Sequence, residues 1–170
     1  MTLAFKQEIN GKPTMFIEKI WQSLLRDNVE MNINEFEVTF KKCLPLIGKM
    51  KVGEYYQKKH TIRKDTKRRW KEGMDIHMVI NNRTKDRFQF APVLKVKSIQ
   101  RVFMTYAYND LIQISVDGTE LFGHDQRLQF AKNDGFDTWE DFFNWFYPII
   151  MNDPKEQFSG ILIHWTDLEY

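Results

Sequence analysis

Apolar residues recur at helical spacing at Phe16, Ile17, Ile20, Trp21, Leu24 and Leu25, which predicts a helix over residues 14–25. Ahead of it, Leu3, Phe5 and the pair Glu8–Ile9 mark a first strand ended by the turn pair Asn10-Gly11. Pro13 after that turn suits the first position of the helix. A second helix is expected from Asn34 to Leu44, with Phe36, Phe40 and Leu44 in phase, Asn32 or Asn34 as cap, and Pro45 ending it. Residues 46–57 carry no clear period and read as loop with a short helix.

From His60 the pattern turns to strands. HTIRK, then Asp75 to Ile80, then a long stretch from Phe88 to Tyr106 alternate or run rich in Val, Ile and Phe. Residues 81–86 form a polar hairpin, and Pro92 should bend or interrupt the long strand, because proline has no N–H for a ladder. Leu111 to Gly118 is a further strand turning at Asp117-Gly118. A polar helix follows near Asp125 to Lys132, then a break at Asp134-Gly135. Asp137 should cap a third helix, with Trp139, Phe142, Phe143 and Phe146 on its apolar face and Pro148 ending it. Phe158 to Trp165 is the final strand. Five or six short strands with helices near both ends predict an α+β domain built on a small closed or half-open β-barrel.

A chain of 170 residues fits one domain, here 1–170, and its 42% hydrophobic content argues against disorder. The net charge of +2 hides an asymmetry: residues 1–104 hold 22 Lys+Arg against 11 Asp+Glu, while residues 105–170 hold 3 against 12. A basic first half fits a nucleic-acid partner. Cys43 is the single cysteine, so a disulfide framework and a cysteine metal cluster are excluded. No apolar run approaches the roughly 20 residues that span a membrane, and the start has no signal-peptide pattern. A cytoplasmic protein without a membrane partner is expected.

The densest charge lies in KKHTIRKDTKRRWK, residues 58–71, with Lys58, Lys59, Arg63, Lys64, Lys67, Arg68, Arg69 and Lys71 around one acid, Asp65. His60 and Trp70 offer rings for stacking and Thr61 a hydroxyl, a combination suited to a polyanion with planar bases. The competing reading is a solvated charged face. Arg63, Arg69 and Lys12 are phosphate-contact candidates; Trp70 is either a base stacker or a core residue. The four histidines lack metal-like spacing, and no glycine-rich phosphate loop, Ser/His/Asp order or zinc signature occurs. No metal site and no cofactor are expected.

GKPT (11–14), KKHTIRKD (58–65), RRWKEG (68–73), FAKNDGFDTWEDFFNWF (130–146, with DGF before a helix) and the closing ILIHW follow one another across residues 3–166. In this order and spacing they resemble the ASCH domain, a relative of the PUA RNA-binding fold. The resemblance implies a PUA-like β-barrel of five to six strands with flanking helices, and a cleft between barrel and helices that binds RNA or a modified nucleoside. One branch of that family hydrolyses the acetyl amide of acetylated cytidine with a lysine, a threonine and a carboxylate; some other members are ribonucleases, and most have no assigned activity. The K-x-x-T-x-R strand falls here on Lys58, Thr61 and Arg63, and the acidic position on Asp134. The chain departs from the amidohydrolase branch by carrying aspartate where that branch has glutamate, and residues 28–56 form a longer, helical insertion.

Amide hydrolysis needs an activated nucleophile and an acid for the departing amine, so Lys58, Thr61 and Asp134 are the catalytic candidates. Side chains alternate along a strand, so Thr61 shares a face with Lys59 and Arg63, not Lys58. Lys58 joins Thr61 only if it precedes the strand; otherwise Lys59 is the better candidate. Lys12, Lys59, Arg63, Arg69 and Trp70 are the ligand-binding candidates. Three functions are therefore expected in competition: RNA or nucleoside binding in a basic cleft, amidohydrolysis of an acetylated cytidine, and a protein-interaction module.

Overall fold

The computed structural model describes residues 1–27, 29–48, 53–108 and 111–170. Among the described residues it is an α+β structure of four helices and mostly antiparallel sheets. The central layer is a five-stranded antiparallel sheet in the order β10 (Thr119–Glu120), β9 (Leu111–Val116), β8 (Ser98–Ala107), β11 (Gln157–His164), β4 (His60–Arg63). A second sheet centres on β5 (Asp75–Ile80), which pairs in parallel with β1 (Thr2–Ala4) and antiparallel with β6 (Phe88–Gln89) and β7 (Leu94–Lys95). Among the described residues no strand pairing joins these two sheets into a closed barrel.

Each face of the central sheet carries its own core. One face, through Ile163 and Trp165, packs with Leu3, Ile76, Met78 and helix α1 (Phe16–Arg26), whose Trp21 is wholly buried. The other face, with Ile62, Val102, Met104 and Leu162, packs on Phe130 of α3 (His124–Asn133) and on Phe142, Phe146 and Ile150 of α4 (Trp139–Met151). Helix α2 (Ile33–Ile47) lies within the expected insertion and docks Phe36 and Phe40 edge-on against Trp21. Residues 28 and 49–52 of that insertion lie outside the described residues.

Several sequence expectations need correction. Pro13 does not open α1; it pairs with Glu8 in the hairpin of β2 (Glu8–Ile9) and β3 (Lys12–Pro13) across Asn10 and Gly11, both at positive φ. A two-residue turn of that geometry matches the strand twist, and the proline lies on a two-residue edge where its missing N–H costs little. Pro45 and Pro148 do not end their helices. Each sits in the last turn, and Ile47 and Ile150 beyond them are buried, so core packing holds that last turn despite the lost hydrogen bond. Helix α4 is capped by Thr138, whose Oγ1 accepts from Asp141 N at 3.1 Å; Asp137 instead pairs with Lys19. The stretch 88–106 is three strands, broken at Pro92 and again before Ser98.

Candidate functional site

Strand β4 lies at the edge of the central sheet and begins at His60, so Lys58 precedes it and escapes the alternation of the strand. Backbone bonds fix this entry: Lys58 N donates to Lys19 O at 3.0 Å and Lys59 N to Asn133 O at 2.8 Å. Lys58 therefore turns to the same side as Thr61. A pocket of about 150 Å³ is lined by Lys58, Thr61, Arg63 and Asp134, with Phe5, Phe16, Phe136 and Trp145 among its walls. It opens between the end of β1, the start of α1 and the turn joining α3 to α4.

Asp134 is the hub. Its Oδ1 accepts from Lys58 Nζ at 3.2 Å and from Ile62 N at 3.0 Å, so it both pairs a buried ammonium and caps an amide on the outer edge of β4. Lys58 Nζ also donates to the Asp134 carbonyl and lies 4.7 Å from the centre of the Phe16 ring. Gly135 makes the turn possible. Its φ is +97°, and a Cβ there would lie 2.8 Å from Phe16 Cε1 and 2.9 Å from Lys58 Cδ. A second buried lysine, Lys19, grips the same turn through Gly135 O at 2.8 Å and Asp137.

Electrostatics follow from burial. Loss of water lowers the Lys58 ammonium to about 8; Arg63 and Lys19 add to this and Asp134 opposes it. Burial works against ionisation of Asp134, yet the charges of Lys58 and Arg63 outweigh it and hold the carboxyl below its ordinary value. Asp134 is thus a carboxylate at neutral pH, whereas Lys58 titrates within reach of it. The Thr61 side chain is buried and has no hydrogen-bond partner among the described residues. Arg63 Nη2 reaches across the gap between β4 and β1 to Ala4 O at 2.9 Å.

Behind the pocket runs a buried polar row. Ser98, His164 and His60 face one another on β8, β11 and β4. His60 Nε2 and Tyr170 Oη lie 2.8 Å apart, and Tyr170 Oη accepts from Asn133 Nδ2 at 2.9 Å. His60 Nδ1 lies 3.6 Å from Asp134 Oδ1, too long for a hydrogen bond. That atom, both His164 nitrogens and Ser98 Oγ have no hydrogen-bond partner among the described residues. Burial lowers both histidines, His164 to about 3, and raises Tyr170.

The pocket thus brings together Lys58, Thr61, Arg63 and Asp134, and leaves four expected ligand contacts elsewhere. Lys59 turns to the opposite side and pairs with Asp27 at 3.3 Å. Lys12 is exposed and pairs with Asp141 at 3.1 Å, beside a neighbouring cavity of about 190 Å³ that shares Ile9, Phe16 and Phe136 with the pocket. Arg69 and Trp70 belong to the loop after β4. Asp65 organises this loop, accepting from Trp70 N at 3.0 Å and facing Arg69 Nε at 3.7 Å. Trp70 is half-buried against the core of Leu3 and Trp21, and His60 is wholly buried, so His60 offers no stacking surface. The pocket walls Phe5, Phe16, Phe136 and Trp145 escaped the sequence reading as site residues: Phe5 and Phe16 fit the apolar pattern of their own segments, Phe136 stands in the DGF turn, and Trp145 lies in α4 off the apolar face assigned to it.

Among the described residues no cluster of three or more His, Cys, Asp or Glu side chains could hold a metal ion, and no helix is long and apolar enough to cross a membrane. No protein-family model, curated protein or solved structure matches the chain.

Proposed function

We propose that this chain is an ASCH-like protein that binds RNA or a modified nucleoside, with one planar base in the pocket between β4, α1 and α4. The observation that carries the reading is the convergence of Lys58, Thr61, Arg63 and Asp134 within a cage of Phe5, Phe16, Phe136 and Trp145. A volume of about 150 Å³ is well below the roughly 300–1,000 Å³ of pockets that enclose a drug-sized ligand. It suits a single ring or substituent, with sugar and phosphate outside near Arg63 and the exposed Lys64 and Lys67. The finer fold, a PUA-like barrel, belongs to the same reading. Its support is the Arg63 bridge from β4 to Ala4 of β1 and the short corner from β7 to β8. Titration calorimetry with cytidine, N4-acetylcytidine and a short RNA tests it. Binding lost in Arg63→Ala is expected; absence of binding to every one of these at low salt would refute it.

A second reading, amidohydrolysis of an acetylated cytidine nucleoside, is favoured by one observation. An ammonium lowered to about 8 shares the pocket with a threonine hydroxyl that lacks a partner. Roughly one Lys58 in ten is then neutral at pH 7 and able to take the Thr61 proton as the hydroxyl attacks the acetyl carbonyl. Because Asp134 is already ionised, the protonated Lys58 is the better acid for the departing amine, and Asp134 holds it in place; water, deprotonated by Lys58 now neutral again, then hydrolyses the acetyl ester on Thr61, which releases acetate and restores the hydroxyl. Thr61→Ala should abolish acetate release and keep nucleoside binding, since the lost group acts in the transition state. Acetate release that persists in Thr61→Ala removes that residue from the chemistry.

A further inference from the structure

Lys58 and Lys59 face opposite sides of the seam where Lys59 N meets Asn133 O, so the chain that builds the pocket also builds a surface behind it. That surface is a groove of about 580 Å³ between the end of α1, residues 53–59 and α3, continuous with a hollow of about 370 Å³ through Arg26, Lys59 and Leu168. It shares no lining residue with the pocket. Its size falls within the roughly 300–1,000 Å³ of ligand sites.

The groove's chemistry is cationic and aromatic. Arg26 and Lys132 have no ion-pair partner among the described residues, while Lys59 is partly neutralised by Asp27 at 3.3 Å. Lys132 is one of only three Lys or Arg after residue 104, and its Nζ lies 3.9 Å from the centre of the Tyr56 ring. Tyr56 itself is 54% exposed, which leaves ring surface open to a planar group. Glu54 is the one acid of the larger part, and Asp27 and Asp167 lie in the smaller. Unneutralised cations beside an open aromatic ring match alternating phosphates and bases.

We propose that this groove is a second binding site, for single-stranded nucleic acid, with phosphates on Arg26 and Lys132 and a base on Tyr56. The inference rests on reading the chain as a nucleic-acid binder and adds to it a surface separate from the pocket. The test is fluorescence anisotropy of a labelled oligouridine across a salt series, with calorimetric cytidine binding as the report on the pocket. Arg26→Ala/Lys132→Ala should weaken oligouridine binding about tenfold or more and reduce the salt slope by about 1.4, near 0.7 for each phosphate on a single strand. Tyr56→Ala should weaken it about tenfold. Cytidine binding should stay unchanged in both. Oligouridine affinity and slope unchanged in the double variant, but reduced in Arg63→Ala, would overturn the groove and leave the pocket reading standing. Wild-type protein that binds cytidine or N4-acetylcytidine but no oligouridine at low salt overturns the groove alone; protein that binds none of the three overturns both.

Discussion

Replacing Asp134 by Asn removes the charge that balances Lys58 while keeping an oxygen able to accept from Ile62 N. Breaking a buried ion pair from one side costs about 3–5 kcal/mol when the surviving charge has no escape. Lys58 has one, because its ammonium can lose a proton. Its value in the folded protein is about 8 against an ordinary 10.5, so at pH 7 the wild type already carries a penalty of about 3 kcal/mol for keeping it charged. A neutral buried lysine at pH 7 corresponds to about 5 kcal/mol, from the proton lost between pH 7 and 10.5. The charge part of Asp134→Asn is therefore capped at about 1–2 kcal/mol, and weakened hydrogen bonds bring the expected loss to about 2–3 kcal/mol. The sign with pH follows. Lys58 has a folded value below its unfolded one, so the unfolded state binds more protons and wild-type stability rises between about pH 8 and 10.5. In the variant the native state sheds the proton at lower pH still, so its rise begins earlier and the gap to wild type narrows as pH climbs toward 8. Urea unfolding between about pH 6 and 9, with Lys58→Met and the double variant, measures this. The double variant should be more stable than the sum of the single effects by at least about 1 kcal/mol. Additivity within about 0.5 kcal/mol, or a gap that does not change with pH, would show that the two groups are not energetically coupled and refute the reasoning.

Other expectations concern the groups around this pair. His164, lowered to about 3 by burial and by His60, stays neutral in the native state while the unfolded chain takes a proton below about 6.5. Stability should therefore fall with acidification from about pH 6.5 toward 3, by about 1.4 kcal/mol per unit from this residue, and His164→Leu should flatten that slope in urea unfolding. An unchanged acid slope would mean that His164 is protonated in the fold. Gly135→Ala should lower the melting temperature and abolish nucleoside binding together, because the new methyl strains a φ of +97° and meets Phe16 and Lys58; a variant that folds and binds normally would contradict the close approach.

Local physics made much of the chain legible from its order of residues. Asn10-Gly11 turns because both positions tolerate positive φ; residues 75–80 form a strand and 139–146 a helix because their apolar periods differ. The chemistry-bearing residues of the pocket were also nameable, since Lys58, Thr61, Arg63 and Asp134 stand in short motifs. Whether Lys58 or Lys59 joins Thr61 was not, because that depends on where β4 begins. The start is set by backbone bonds to Lys19 and Asn133, residues 39 and 74 positions away from Lys58 and Lys59. Burial decided the remainder. His60, a stacking candidate in the sequence, is buried beside His164 and Tyr170 once the sheet and α3 close over it. Lys58 stands out by its motif, but only packing removes its water and sets Asp134 beside it. Solvation and long-range contact have no local signature in sequence, which is why the residues were readable and their protonation, partners and shared cage were left to the tertiary structure.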